Sequence, residues 1–285
     1  MNAQDCRLLL RQHNCRVTAG TRRPAGLDRP IRVVLLIAAL AICAARGGDV
    51  FAAPDEIQVY TEELNDPGQF GLEEHVNYSF NGVQVPDYPG QTPPNHVLQV
   101  TSEFSYGLTR TLEAGLYLPF AFTPGGDTFL NGLRGRLKYI APRDPGDAMF
   151  YGLNLELGRD SLRTSDSISA MEIRPIIGYR DAKWLVSFNP ILTLGLAANV
   201  SRQPQFEPCV KLTHVVGDGI RSGLEYYGVY GSPTHPLPSN QRSHSVFAVA
   251  DMVKGGFDLD FGIGRGFVNS TDTWVMKAII GMPLN

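Results

Sequence analysis

The sequence predicts an all-β chain, a transmembrane up-and-down antiparallel barrel of about 12 strands. Three observations predict it: apolar residues alternate with small or polar ones through twelve segments, short and long connections alternate between them, and the chain after the amino terminus has no stretch of 18 apolar residues. The strongest helical candidate, Trp184 to Val200, is broken by Ser187, Asn189, Pro190, Thr193 and Asn199, which excludes an α-helical span.

The amino terminus reads as an export signal. Val33 to Ala45 is an uncharged apolar run behind Arg22, Arg23, Arg29 and Arg32, and Val50-Phe51-Ala52 has the small-residue pattern of a cleavage site. The run is shorter than the roughly 18 to 20 residues of a spanning helix. Residues 1–52 are therefore expected to leave as a signal peptide, with Ala53 as the mature start. Residues 1–28 are long for an n-region and the next Met is Met149, which points to an over-extended start. A retained membrane anchor is the alternative. A lipoprotein is disfavoured because the large Ile42 precedes Cys43.

Removing the signal changes the charge. The 285-residue chain has net charge −3, but the first 52 residues hold 8 Lys+Arg against 3 Asp+Glu, leaving 17 against 25 in the remainder. Such an acidic chain lacks the basic face that nucleic-acid binding needs. Cys6, Cys15 and Cys43 leave with the signal, so Cys209 has no internal disulfide partner and is expected to pack within a strand.

Residues 53–68, with Asp55, Glu56, Glu62, Glu63 and Asp66, precede the first strand and are expected to form a periplasmic tail, a lumenal plug being the alternative. The barrel itself is assigned to 69–285, in segments at about 69–81, 95–106, 110–121, 132–141, 148–158, 169–180, 183–195, 205–216, 219–231, 243–252, 256–265 and 273–283. In 148–158, Met149, Tyr151, Leu153, Leu155 and Leu157 alternate with Phe150, Gly152, Asn154, Glu156 and Gly158. In 110–121 and 256–265 the same rhythm recurs, at Leu112 to Phe120 and at Phe257 to Ile263. These segments have the length of strands tilted through a bilayer, about 9 to 11 residues, rather than the 5 to 6 of ordinary strands.

The turns after even segments, such as Gly107-Leu108-Thr109 and Gly217-Asp218, are short, while those after odd segments, such as Gly82 to Pro94 and Ser232 to Gln241, are long. This alternation is that of tight periplasmic turns and longer outside loops, and an even strand count puts both ends of the barrel in the periplasm.

A charge at the bilayer midplane costs about 2 to 4 kcal/mol. The charged rows must therefore face inward: Glu103, Glu113, Arg134, Arg136, Lys138, Glu156, Glu172, Arg174, Glu207, Lys211, Arg221, Glu225, Asp258, Asp260 and Lys277. Glu74 is an exception, in phase with Leu72, Val76 and Tyr78, which places it near the periplasmic rim or beside a bulge. The phase of Val246 to Asp251 is ambiguous. Tyr106, Phe120, Tyr139, Tyr179, Trp184, Tyr230 and Trp274 fall near segment ends, as interfacial girdles require.

Ser105-Tyr106-Gly107-Leu108-Thr109-Arg110-Thr111-Leu112-Glu113-Ala114-Gly115-Leu116-Tyr117-Leu118-Pro119 resembles a hairpin signature of proteobacterial outer-membrane proteins assigned to transport in phenol degradation. Pro54 to Tyr60, Arg136 to Tyr139, Gly262 to Gly266 and Lys277 to Gly281 are similar to an uncharacterised branch of that group, so the likeness spans nearly the whole mature chain. The resemblance implies an outer-membrane barrel taking up small, aromatic or hydrophobic compounds, and it brings no catalytic residues. The chain departs from such barrels by ending Met282-Pro283-Leu284-Asn285 instead of in an aromatic residue.

Chemistry is sparse. A lipid-modifying enzyme would need a Ser beside a His. His244 and Ser245 face opposite sides of a strand, and His75 and Ser79 are roughly 13 Å apart along one. His96 with Ser102 is the remaining combination. No catalytic residue, cofactor or metal site is expected, since His214 and His235 have no ligand cluster around them. Gly262, Gly264 and Gly266 have no helix after them and are expected to thin the lumen wall instead of holding phosphate.

Arg134, Arg136 and Lys138 share an inward row and could attract anions as basic pores do, or be neutralised by Glu113 and Glu156 in a cross-strand ladder. Asp258, Asp260 and Asp251 would favour cations elsewhere in the wall. These residues and Lys277 are the lumen candidates. The expected function is a passive channel or transporter for small solutes, with outer-membrane lipid around it; the alternatives are a closed barrel with a structural role, a lipid-modifying enzyme and a soluble periplasmic β protein.

Overall fold

The computed structural model describes residues 56–86, 88–165, 167–196, 203–268 and 272–284. The expected signal peptide and its cleavage site lie outside the described residues. Every regular element among those described is a strand.

Twelve strands form the wall: β1 (Phe70–Gly82), β2 (Leu98–Thr109), β3 (Leu112–Phe122), β4 (Thr128–Leu130 and Gly132–Ile140), β5 (Met149–Asp160), β6 (Ala170–Arg180), β7 (Trp184–Asn189 and Leu192–Gly195), β8 (Gln205–Phe206 and Cys209–Gly217), β9 (Ile220–Val229), β10 (Ser243–Lys254), β11 (Phe257–Val268) and β12 (Asp272–Pro283). Each pairs antiparallel with its sequence neighbours, and β1 pairs with β12 from Gly71↔Pro283 to Gly82↔Asp272. Closure leaves no free edge, so backbone donors in the wall find partners without water.

The two-piece strands have local causes. Pro190 and Pro208 have no N–H to give a ladder, and each stands where its strand is interrupted. In β4 the break is at Asn131, whose N–H instead reaches back to the Pro119 carbonyl at 2.7 Å. The added piece Thr128–Leu130 pairs with the end of β3, so the loop there is shorter than the sequence suggests.

One end of the barrel carries tight turns. Asp181 tightens the one between β6 and β7, accepting the Lys183 and Trp184 N–H groups at 2.7 Å each and the Tyr179 hydroxyl at 2.8 Å. The backbone bonds to Trp184 and Lys183 and the Tyr179 hydroxyl hold its carboxyl below the usual range. At the other end the long loops tie to one another through Arg163, whose guanidinium stacks 3.8 Å from the Phe129 ring centre and donates to Thr92 Oγ1 at 3.1 Å.

The alternation assigned from sequence matches the wall. Phe104, Leu116, Leu137, Leu157, Leu212, Leu224 and Phe261 are exposed on the outside, while Glu103, Glu113, Arg136, Glu156, Lys211, Glu225 and Lys277 are buried inside. In β10 the ambiguous phase resolves with Phe247 and Val249 inward and Val246 outward. Glu74 does face outward, but within β1 and in an unbroken register, where it accepts a hydrogen bond from Ser102 at 3.0 Å. No bulge accounts for it; a cross-strand hydroxyl partner meets its carboxylate. Arg265 is a second outward charge, lying 5.5 Å from the Phe267 ring and 5.7 Å from that of Trp274. Aromatic faces of this kind and a long stem let an Arg sit at an interface.

The aromatics divide between the ends. Tyr106, Tyr139, Tyr179 and Trp184 lie toward the tight turns; Phe120, Tyr230 and Trp274 lie toward the long loops. Phe120, Tyr179, Trp184 and Trp274 are exposed, as expected of side chains that meet the bilayer interface.

Candidate functional site

The candidate site is the lumen, and its most prominent occupant is the chain's own segment before β1. Residues 53–68 were expected as a periplasmic tail; from Glu56 to Asn65 they instead run inside the barrel, and Ile57, Val59, Tyr60 and Thr61 are buried there. The reason is visible in their chemistry. Ile57 packs with Phe247, Val249 and Val275; Val59 with Ile191 and Cys209; Tyr60 with Ile140, Phe150, Ile176 and Leu185. Three apolar patches in an otherwise polar wall receive three apolar residues of the segment.

The wall also captures the segment's backbone. Asn189 Oδ1 accepts the Tyr60 N–H at 2.7 Å, while Ser187 Oγ donates to the Tyr60 carbonyl at 2.6 Å. Lys277 Nζ donates to the Ile57 carbonyl at 3.2 Å, Arg174 to that of Gln58 at 3.2 Å and Lys138 to that of Glu63 at 2.8 Å. Glu113 accepts the Asn65 N–H at 2.6 Å. An extended segment has no ladder of its own, and these wall residues supply the partners that burial demands.

Tyr60 is the centre of the arrangement. The Arg174 guanidinium is 4.2 Å from its ring centre, Lys138 Nζ 4.9 Å and the Arg136 guanidinium 5.7 Å. Its hydroxyl donates to Glu156 at 3.1 Å and contacts the Tyr117 hydroxyl. Cations on a ring face in a desolvated site are worth about 2 kcal/mol or more each.

The predicted cationic row is therefore present but committed. Arg136 donates to Glu103 at 2.5 Å and Glu113 at 2.8 Å; Arg134 lies 3.6 Å from Asp160; Lys138 holds the segment. Register places Lys138 opposite Glu113 and Arg136 opposite Glu156, yet Arg136 turns to Glu103 and Glu113, leaving Glu156 to Tyr60 and Asn154. The ladder is real, but its partners are diagonal.

Across the lumen a second network forms. Lys211 donates to Asp251 and Asp260 at 2.7 Å each and lies 3.2 Å from Glu225, while Lys277 reaches Glu225 at 2.5 Å and Asp260 at 3.2 Å. Asp258 stands apart, exposed at the tight-turn end. Lys211, central here, was only one of many inward charges in the sequence; nothing in its spacing marks it as a hub.

Beyond the segment, toward the tight turns, a cavity of about 610 Å³ remains, bordered by Glu73, Arg180, Lys211, Arg221, Asp251 and Asp258. Arg180 also pairs with Glu62 at 2.7 Å and Glu63 at 2.6 Å, fixing the segment at the cavity's edge.

Glycines make room for what fills the lumen. A Cβ on Gly178 would lie 1.9 Å from the Phe150 ring, and one on Gly264 2.4 Å from that of Phe247. Both rings form the apolar seats of the segment. Gly178→Ala is expected to displace Phe150 and lower stability by about 1 to 3 kcal/mol, as overpacking does, measured by denaturant unfolding of the reconstituted barrel; an unchanged midpoint would refute this.

The Ser and His residues considered for catalysis find other partners: Glu103 for His75 at 3.2 Å, Tyr78 for His96 at 3.3 Å, Tyr226 for His244 at 2.7 Å and Glu74 for Ser102. Cys209 is buried and free, as expected of a packing residue.

No family model matches the sequence, and no curated protein matches it, so the phenol-degradation resemblance has no sequence match beside it. Solved structures do resemble it. An outer membrane channel from Pseudomonas putida F1 has a TM-score of 0.54 at 12% identity, covering 80% of this chain and 100% of that one. Outer membrane phospholipase A from Escherichia coli gives 0.41 at 11% identity, covering 80% of this chain and 99% of that one. OccK11 (OpdR) from Pseudomonas aeruginosa gives 0.39 at 12% identity, covering 84% and 77%. The latter two similarities are too low to carry an argument. At such identity the likeness extends to the fold alone: the chain has the closed antiparallel β-barrel architecture of Gram-negative outer-membrane proteins.

Proposed function

We propose that the protein is a passive outer-membrane channel for small solutes, gated by its own residues 56–65. The observation that carries this reading is how the lumen is filled. It is occupied by a separate segment held through side chains, with a cavity beneath it, and not by wall side chains alone.

The seats that the segment occupies suggest the solute class. Undocking uncovers Phe150, Ile140, Ile176 and Leu185 beside Arg136, Lys138 and Arg174. A flat apolar ring bearing a polar or acidic group would replace Tyr60 in kind, which supports small aromatic compounds as cargo. No catalytic role is part of this reading. The filled lumen also favours a second one, a permanently closed barrel with a structural role.

A chain lacking residues 56–65 separates the two. In planar bilayers the channel reading expects its conductance to rise several-fold above that of the full mature chain. Unchanged conductance would leave the closed barrel as the better account.

A further inference from the structure

On the lumenal face of β1 and β2, Glu73 stands directly opposite Glu103, with His75 next along the same row. One donor atom from each of the three lies within 4.8 Å of the other two. His75 Nε2 is 3.2 Å from Glu103 Oε2 and 3.9 Å from Glu73 Oε2. Like charges facing each other across a ladder repel; Glu103 is nearly fully buried beside the fully buried His75, while Glu73 is part-exposed toward the cavity.

Arg136 occupies only one side of this group, donating to Glu103 Oε1 and leaving Oε2 turned toward His75. Two further buried atoms beside it, His75 Nδ1 and Glu56 Oε1, make no hydrogen bond among the described residues, although Glu56 is 3.6 Å from Arg174. Buried polar atoms without partners are rare, and each calls for an explanation such as an ion or a water.

We propose that Glu73, His75 and Glu103 bind one divalent transition-metal ion of the zinc class. One imidazole and carboxylate oxygens form a borderline donor set suited to such ions. Metal bonds of about 2.0 to 2.2 Å place tetrahedral donors roughly 3.3 to 3.6 Å apart, and the spacings of 3.2 and 3.9 Å bracket that range. Calcium, which takes six to eight oxygens, is poorly served.

The two carboxylates have outer contacts of the kind a metal site uses to orient its ligands. Arg136 fixes Glu103, and Gln58 Nε2 donates to Glu73 Oε2 at 3.2 Å. Glu73 borders the cavity, so an ion reaches it from the tight-turn end.

The test is calorimetric titration of zinc chloride into the untagged, chelator-stripped full mature chain in detergent. One equivalent should bind, with magnesium giving no comparable signal. His75→Ala and Glu73→Gln should each weaken binding at least tenfold, while His214→Ala and His244→Ala, which alter imidazoles outside the lumen, should leave it unchanged. Heat-modifiable gel mobility reports whether each variant is folded. Glu73→Gln, nearly isosteric and part-exposed, decides the matter should His75→Ala fail to fold. Absence of stoichiometric binding to the folded chain would overturn the proposal, as would binding that survives Glu73→Gln or is lost equally in the outside-histidine variants.

Discussion

Replacing Tyr60 by alanine is expected to leave a folded barrel that conducts. The wall strands pair with one another without it, whereas the lumenal segment depends on its ring for the apolar seat and for contact with three cations. Truncating a packed aromatic costs about 3 to 5 kcal/mol. Docking of the segment is intramolecular, so that loss falls on the docked state alone and shifts the docked-to-free ratio by roughly two to four orders of magnitude. Single-channel recordings should show long openings where the parent protein shows rare ones.

Tyr60→Phe provides the internal comparison. It keeps the ring in its seat and removes only the hydroxyl contacts to Glu156 and Tyr117. A hydrogen bond contributes about 1 kcal/mol net, so this variant should open several-fold more often than the parent and far less than Tyr60→Ala. Identical traces for Tyr60→Ala and the parent would show that the segment is not the gate.

Much of the wall was legible because the bilayer imposes a simple rule. A charge facing lipid is costly, so the parity of Glu103, Arg136, Glu156 and Lys277 sets which row points inward. Where that rule weakens, the reading weakened: Phe247 and Val249 turn inward although apolar, and their phase could not be assigned from hydropathy. Their reason lies outside their own strand, in Ile57.

The same non-local dependence hid the lumenal segment. Glu56 to Asn65 is rich in acids and precedes the first strand, which is how a solvated tail reads. What binds it is a set of cations on β4, β6 and β12, distant in sequence and brought to one side of a lumen only by closure. Arg136 illustrates the limit: register pairs it with Glu156, but its side chain reaches diagonally to Glu103 on β2. Strand pairing could be read from period and turn length; the choice between a lateral and a diagonal partner depends on side-chain reach within a confined space.

Lys277→Met is expected to be the most destabilising single substitution in the wall. Lys277 is fully buried, with Glu225 at 2.5 Å and Asp260 at 3.2 Å. Asp251, Asp260 and Glu225 already outnumber Lys211 and Lys277, so its removal leaves three carboxylates around a single ammonium. Removing one partner of a buried ion pair costs about 3 to 5 kcal/mol, mostly because the other charge remains desolvated. The denaturant midpoint of the reconstituted barrel should fall accordingly. This account also dictates what happens when the stranded acid is neutralised: Glu225→Gln introduced beside Lys277→Met should cost less than the sum of the two single losses, with a coupling energy of about 0.5 to 3 kcal/mol. If the two losses simply added, the cost would lie in packing of the lysine stem against Gly262, where a Cβ would come within 3.0 Å of Lys277 Cε, and not in the electrostatics of the network.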